Sequence, residues 1–314
     1  MTGTASSQLR SAIVAETTPG TIVSTPGFTT LHRPLELTAT PSSTFSRSLI
    51  SGGARLGRGI SGIPVAGRLS SAPIVYGVWD ALLATVLQGA WASDVLKDGK
   101  AFTTVTCENT MPAGVGGTAT MTRFRGVEGT GATLRLTSGQ EATIDMDLVG
   151  MGSDDATTTA IAGATYTDPS EADPLSSGSD VGTIAFNGYT LDCFESMEIA
   201  FTYENKTPQA KIGSDDLCGV TRGDLLPAIT ANAYIESNFL EIYNASRARH
   251  TAFSVTIPLG SVTGEKYTIV FPTCYFGSAP VDVSGTNLMQ TIQIMPVYDA
   301  TTEDAVVKIT RAVT

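Results

Sequence analysis

Acidic side chains are the residues of this sequence whose types and spacing come closest to a reactive site. They form three pairs, which are Asp145/Asp147, Asp154/Asp155 and Asp215/Asp216. Two carboxylates can act as acid and base on a glycosidic bond, and a cluster of them can bind Ca²⁺. The spacing does not fit an EF-hand loop, and the last two pairs lie in Gly-Ser-Asp-Asp turns. Solvated turn residues are therefore the favoured interpretation of those two pairs.

Other catalytic motifs lack residues or context. The only histidines are His32 and His250, and neither a GxSxG elbow nor an HExxH motif occurs. Residues 57–62 (GRGISG) match GxGxxG, with Asp80 about where a ribose-binding acid would lie. Pro64 follows directly, so no helix N-terminus is available to hold a pyrophosphate. We predict no catalytic residue, no cofactor, no metal site and no enzyme activity.

Cysteine spacing and the apolar stretches of the sequence indicate in which cellular compartment the protein is expected. No CxxC pair occurs among the four cysteines, which predicts buried free thiols rather than a disulfide framework or a zinc site. The first fifteen residues carry one arginine and no continuous apolar run, so we expect no signal peptide and synthesis in a cytosol. The most apolar stretch, residues 72–91, contains Asp80, which would cost about 3 kcal/mol within a membrane. We expect a soluble protein.

The distribution of apolar residues predicts a mainly β fold. Helical spacing within 78–91 indicates a short amphipathic helix, and a second is expected near 238–246. Elsewhere apolar and polar residues alternate, as in antiparallel strands. The predicted strands are 34–40, 63–69, 101–108, 121–127, 141–149, 197–203, 229–235, 253–257, 266–271, 290–298 and 306–313. We expect an antiparallel β-sandwich or barrel with short flanking helices.

Two segments divide this pattern. Residues 42–62 contain five glycines and three arginines, and we expect a long mobile loop there. Residues 150–188 are rich in small and acidic residues and contain no Lys or Arg, which predicts an acidic surface excursion. The chain then divides into an N-terminal half of the β domain (1–149), the excursion, and a C-terminal half (189–314).

The two halves share one order of elements. From Leu35, a strand, a Gly-rich loop, a strand and a short helix precede the strand expected at 101. From Cys193 the same order leads through a loop at 204–224 to the strand expected at 251. A weak internal repeat explains this order, and so does the use in both halves of a common arrangement of a β-hairpin and a helix.

Charge is unevenly distributed along the chain, whose formal net charge is −11. Residues 1–79 carry six arginines and two acids, whereas residues 136–205 carry thirteen acids and no Lys or Arg. Such asymmetry fits a nucleic-acid-binding patch, or a self-assembling chain whose basic face meets the acidic face of a neighbour. Both explanations stay open at this point.

Several stretches carry a resemblance to a known family. They are PGTIVSTPGFTTLHRPLELTAT, GRLSSAPIVYGVWDALLATVLQGAW, ITANAYIESNFLEIYN, YTIVFPTCYF and LMQTIQIMPVYDATTEDAVVKITRA. In these, roughly across residues 18–149 and 189–313, the chain resembles the major tail tube proteins of long, non-contractile-tailed (siphovirus-type) bacteriophages. The strand ending in P-x-YD, followed by VKITRA, is the most specific feature.

The resemblance implies a virion structural protein made in the host cytoplasm and located in the tail. Family members form hexameric rings whose sheets join into one continuous barrel, and the rings stack into the tube through which the genome leaves. Expected partners are further copies of the chain and the tape-measure, tail-tip and tail-terminator proteins, and DNA is expected to pass without specific binding. A capsid decoration or fibre protein is the alternative, and a carbohydrate-binding or hydrolytic β domain is a third.

Two groups of residues receive expected roles within such a tube. Asp145 and Asp147 are candidates for the lumen, because Ile144, Met146 and Leu148 alternate with them and would be core. Carboxylates there would repel the phosphates of passing DNA. The arginines of the 42–62 segment, Arg47, Arg55 and Arg58, are expected to contact an adjacent ring or subunit.

Overall fold

The protein is mainly β, as predicted, with antiparallel pairing dominant. The computed structural model describes residues 8–48, 52, 57–113, 117–189, 191, 193–235, 239–247, 251–283 and 287–312. In those ranges the strands are β1 (Arg10–Ala15), β2 (Gly27–Thr30), β3 (Glu36–Ala39), β4 (Ser42–Phe45), β5 (Arg58–Gly62), β6 (Val65–Pro73), β7 (Val95–Lys97), β8 (Val105–Met111), β9 (Thr120–Thr137), β10 (Thr143–Gly150), β11 (Gly152–Ser153), β12 (Thr165–Thr167), β13 (Ala185–Phe186), β14 (Phe194–Glu204), β15 (Pro208–Ala210), β16 (Leu217–Val220), β17 (Asp224–Tyr234), β18 (Phe253–Leu259), β19 (Tyr267–Phe276), β20 (Val281–Asp282), β21 (Met289–Val297) and β22 (Lys308–Arg311). The helices are α1 (Asp80–Leu87) and α2 (Phe239–Arg247).

Eight of these strands form one continuous antiparallel run, which we call the main sheet. Its order is β3-β6-β10-β9-β14-β17-β21-β19. Among the described residues the strand pairings never return to their starting strand. A barrel within the single chain, one of the two predicted forms, is therefore corrected to an open sheet.

Strand β9 connects the main sheet to a second sheet. Its first half pairs with β8, which continues through β1 and β2 to β12, and β12 runs parallel to β2. Its second half lies between β10 and β14 in the main sheet. The predicted strand 121–127 ended too early because Gly129 and Gly131 have low strand propensity. Gly129 lies under α1, where a Cβ would come within 2.2 Å of Val86 Cγ2.

The core lies between one face of the main sheet and the elements that cover it. Helix α1 packs on β9 and α2 packs on β19. Leu82, Val86 and Leu87 of α1 are fully buried, as the helical spacing predicted. The helix is shorter than the predicted 78–91, because Gln88 adopts a left-handed conformation (φ 52°) that ends it.

The internal repeat is confirmed by the strand pairings. The first repeat, β1, β3–β6, α1 and β8–β10, contains the antiparallel pairs β1–β8, β8–β9, β9–β10, β10–β6, β6–β3 and β4–β5. The second, β13–β17, α2, β18, β19 and β21, contains β13–β18, β18–β19, β19–β21, β21–β17, β17–β14 and β15–β16 in the same positions. Pairing of β9 with β14 joins the two repeats within the main sheet.

Two predicted segments need correction. The ends of the 42–62 segment are strands rather than loop, since β4 and β5 pair as a hairpin whose backbone groups satisfy each other. Residues 49–51 and 53–56, and with them Arg55, lie outside the described residues. The 150–188 excursion contains three short strands: β11 pairs with β9, β12 pairs with β2, and β13, the first strand of the second repeat, pairs with β18.

The cysteine prediction is half right. Cys107 and Cys274 are buried, whereas Cys193 and Cys218 are exposed. Burial raises the pKa of the Cys274 thiol to about 12 and that of Cys107 still further, so neither forms a reactive thiolate near neutral pH.

Candidate assembly surfaces

The main sheet has one apolar and one polar face. Ile144, Met146 and Leu148 of β10 are buried, while Asp145 is half-buried and Asp147 exposed on the opposite side. This confirms the predicted alternation along β10. That the two carboxylates face a lumen stays a prediction.

Charged residues cluster on this polar face. Glu36 of β3, Arg68 of β6 and Asp147 of β10 lie in one row of directly paired residues. Arg135 of β9 lies opposite Glu198 of β14. We define the polar face by these charged residues together with Asp145; four are acids and two are arginines. Sequence reasoning found only the β10 acids, because the other members become neighbours only through strand order.

Arg135 organises the centre of the polar face. Its guanidinium forms ion pairs with Asp145 and, at 3.1 Å, with Glu198. Asp145 also accepts a hydrogen bond from the Ser71 backbone N–H at 2.7 Å. Arg135 thus offsets part of the negative charge that the carboxylates bring to this face, leaving a modest acidic excess.

The predicted arginine group is described only in part. Arg47 is exposed just after β4, and Arg58 opens β5 on the paired strand. The base of this hairpin reaches the second acidic turn, because Ile63 N–H donates to Asp215 O at 2.9 Å. The contact of these arginines with another subunit stays a prediction.

The two Gly-Ser-Asp-Asp turns meet rather than lying apart in solvent. Arg125 of β9 binds Asp154 at 2.9 Å and Asp216 at 3.2 Å, so one guanidinium joins both turns. Asp154 and Asp216 stay partly exposed to solvent, as expected for turn residues, but each also forms an ion pair with Arg125. These ion pairs tie the two turns to β9.

A buried ion pair lies at the junction of the repeats. Lys206, which follows β14, lies 3.2 Å from the fully buried Glu128 of β9 and donates to Gly129 O at 2.5 Å. Burial lowers the pKa of Lys206, and the neighbouring Glu128 carboxylate works against that shift. Arg222 adds a second cation 3.6 Å from Glu128. The pair holds the two repeats together where α1 covers their junction.

Strand β3 has an open edge at one end of the main sheet, whereas β19 at the other end is covered by β18 as far as Cys274 and is open only beyond it among the described residues. The edge of β3 borders an open groove of about 430 Å³, lined by residues 35–39 and by parts of β8, β9 and β11. Successive side chains of a strand point to opposite faces of the sheet. Because all five residues from 35 to 39 line this groove, the groove lies along the edge of β3 and not over one of its faces. At the other end, the chain continues from β19 through 277–280 to β20 along β21.

The surfaces offer little for chemistry in the described part of the chain. No group of three or more His, Cys, Asp or Glu side chains there is placed to hold a metal ion. His32 is exposed against Ser170 O, and His250 lies outside the described residues. No helix within those ranges is long and apolar enough to cross a membrane. What the arrangement provides is open sheet edges and a charged face.

Comparison with known protein families gives a match. The model of a family described as phage tail tube protein matches residues 6–297, nearly the whole length of the chain. No curated protein matches the chain.

Proposed function

Because the chain belongs to the phage tail tube protein family, we propose that it closes into rings that stack into a hollow tail tube through which the genome passes into the host cell. The family makes it a structural protein of the virion tail, which assembles into a tube with other tail proteins. The observation that carries the finer proposal is the main sheet, which has one covered face, one polar face, an open edge at β3 and a partly open edge at β19 beyond Cys274. Exposed edges invite pairing with another chain, and a closed ring removes them.

The polar face is proposed to line the lumen. A conduit for double-stranded DNA must avoid binding a polymer that carries one negative charge per about 1.7 Å. Asp147 and the acids around Arg135 give this face an excess of carboxylates over guanidinium groups. The two arginines limit the mutual repulsion of the carboxylates without creating a basic path along which DNA would bind.

The repeat gives the expected hexameric ring a specific form. Strands about 4.8 Å apart and tilted by about 40° each take up about 6 Å of circumference. Three chains would contribute 24 main-sheet strands, eight from each, and enclose a ring about 48 Å across between backbones. Six chains would give about twice that width. We propose six repeat units from three chains, in place of the ring of six chains that the resemblance implies, so that the six-fold arrangement holds only at the level of the repeat.

The proposed partners are those of a tail: tape-measure, tail-tip and tail-terminator proteins, at the inside and the two ends of the tube. Assembly in the host cytoplasm follows from the same proposal.

The β4–β5 hairpin carries Arg47 and Arg58, and it is proposed to contact acidic residues of a neighbouring ring.

Charge reversal tests the proposed contact between the arginines of the 42–62 segment and a neighbouring ring. Arg47→Glu, Arg55→Glu and Arg58→Glu together should leave a folded chain that closes rings but does not extend tubes, because like charges would then face each other across rings. Far-UV circular dichroism checks the fold, and sedimentation velocity measures the length of the assemblies. A matched control reverses Lys211, an exposed cation in the corresponding hairpin of the second repeat. Tubes of normal length from the triple variant would contradict the assignment.

A further inference from the structure

The proposed ring needs a lateral contact, and the internal repeat identifies one. Resting on the proposed function, we infer that β3 of one chain pairs antiparallel with residues 275–281 of a second copy. This contact would reproduce between chains the β9–β14 junction that joins the repeats within each chain.

Equivalence of the repeats selects these two edges. Strand β14 pairs with β17 on one side and with β9 on the other. Its equivalent, β3, pairs with β6 on one side and borders the 430 Å³ groove with the other. The missing neighbour of β3 is therefore the equivalent of β9, which is the strand running from β19 into β20.

Within the described residues, part of that strand has a neighbouring strand on one side only, just as the second half of β9 would have without β14. Strand β8 covers the first half of β9 and leaves the second half to β14. Likewise β18 covers β19 as far as Cys274, and residues 275–281 carry a strand only on their β21 side. Val281 and Val283 at this end are 39% and 72% exposed, an apolar edge that a neighbouring strand would cover.

Strand direction is compatible with closure. The main sheet contains eight strands, each antiparallel to the next, so its last strand runs opposite to its first. A second copy placed beside β19 therefore presents β3 in the antiparallel direction. The contact joins two different edges and is heterologous, which generates a ring when the rotation closes.

The internal junction also sets the register. Ala132 of β9 pairs with Phe201 of β14. Matching Met146 of β10 with Ile294 of β21 makes Phe276 the counterpart of Ala132 and Leu37 the counterpart of Phe201. Both counterparts are buried, so these two should lie opposite each other across the contact. One step along, Tyr275 should face Thr38 of the second copy.

Cross-linking tests this register in the full-length chain. The variant carries Thr38→Cys and Tyr275→Cys, with the exposed Cys193 and Cys218 replaced by serine, and is treated at assembly concentration with a short bis-maleimide. Buried Cys107 and Cys274 have raised pKa values and should react slowly. The expected result is a denaturing-gel ladder in multiples of the 32.6 kDa chain.

Two further variants in the same serine background serve as controls. Thr133→Cys with Ala200→Cys, which are paired at the internal junction, should cross-link within one chain and confirm the fold and the chemistry. Thr38→Cys with Val262→Cys, at the tip of the β18–β19 turn, should give no ladder above background.

The possible outcomes test the contact between chains and the proposed tail tube function separately. A ladder from the Thr38/Tyr275 variant alone supports the contact, and electron microscopy of the same sample shows whether the joined chains form tubes. Joined chains in shells or compact particles would keep the contact and overturn the proposed function. Tubes with no ladder beyond the Val262 control would overturn the contact and leave the function standing. No ladder and no assembly would also overturn the contact.

Discussion

At the scale of single residues, charged side chains in this protein hold segments together that are distant in sequence. Arg125 joins the two acidic turns, and Asp80 at the start of α1 accepts hydrogen bonds from Tyr267 at 2.6 Å and from Arg311 at 2.5 Å. Burial and the adjacent Asp80 raise the pKa of Tyr267, so it stays a neutral donor. One acid of each pair in the sequence, namely Asp145, Asp154 and Asp216, thus forms an ion pair with an arginine.

The buried pair Glu128–Lys206 should be the most sensitive of these ties. Lys206→Met leaves the Glu128 carboxylate buried with only Arg222 near it, and we expect a loss of about 3 kcal/mol in the free energy of unfolding. Adding Glu128→Gln removes the uncompensated charge and should restore much of that loss. Urea unfolding of both variants measures the effect. A double variant no more stable than Lys206→Met would contradict this explanation.

At the scale of elements, strands in which apolar and polar side chains alternate could be predicted from the sequence. Elements whose backbone conformation depends on contact with another element were missed. The alternation predicted β10, β14, β18 and β21 with small errors at their ends, whereas it missed the first five residues of β17 and the last five of β19. The second half of β9 was missed because its glycines serve the close approach of α1. The hairpin β4–β5 was missed because backbone pairing, rather than an apolar pattern, defines it. The acids on β10 were predictable, but their partner Arg135 required the order of strands.

Gly129 gives a direct test of the contact between α1 and β9. Gly129→Ala would place a Cβ 2.2 Å from Val86 Cγ2, so the helix must shift and we expect about 1–3 kcal/mol of destabilisation. The control is Gly219→Ala in β16, where a Cβ meets nothing within 4 Å. Thermal unfolding of the two variants compares them. Equal melting temperatures would show that the close approach is not a constraint on packing.

At the scale of the whole molecule, the chain is two copies of one β unit joined edge to edge. This arrangement leaves β3, and the part of β19 beyond Cys274, with a neighbouring strand on one side only among the described residues. The internal junction carries a buried ion pair, whereas the position of β19 that corresponds to Glu128 is Thr273, which pairs with Val297 as Glu128 pairs with Val149. Contacts between chains should accordingly be weaker than the contact between repeats, as suits subunits that fold first and assemble afterwards.

Electron microscopy of the purified chain at high concentration tests the central claim most directly, with sedimentation run beside it. We expect hollow tubes with a regular axial repeat, whose end-on views show six similar units arranged as three pairs. A ring of twelve units would keep the tube but contradict the three-chain ring. Shells, compact trimers or fibres without a lumen would contradict the tail tube account itself.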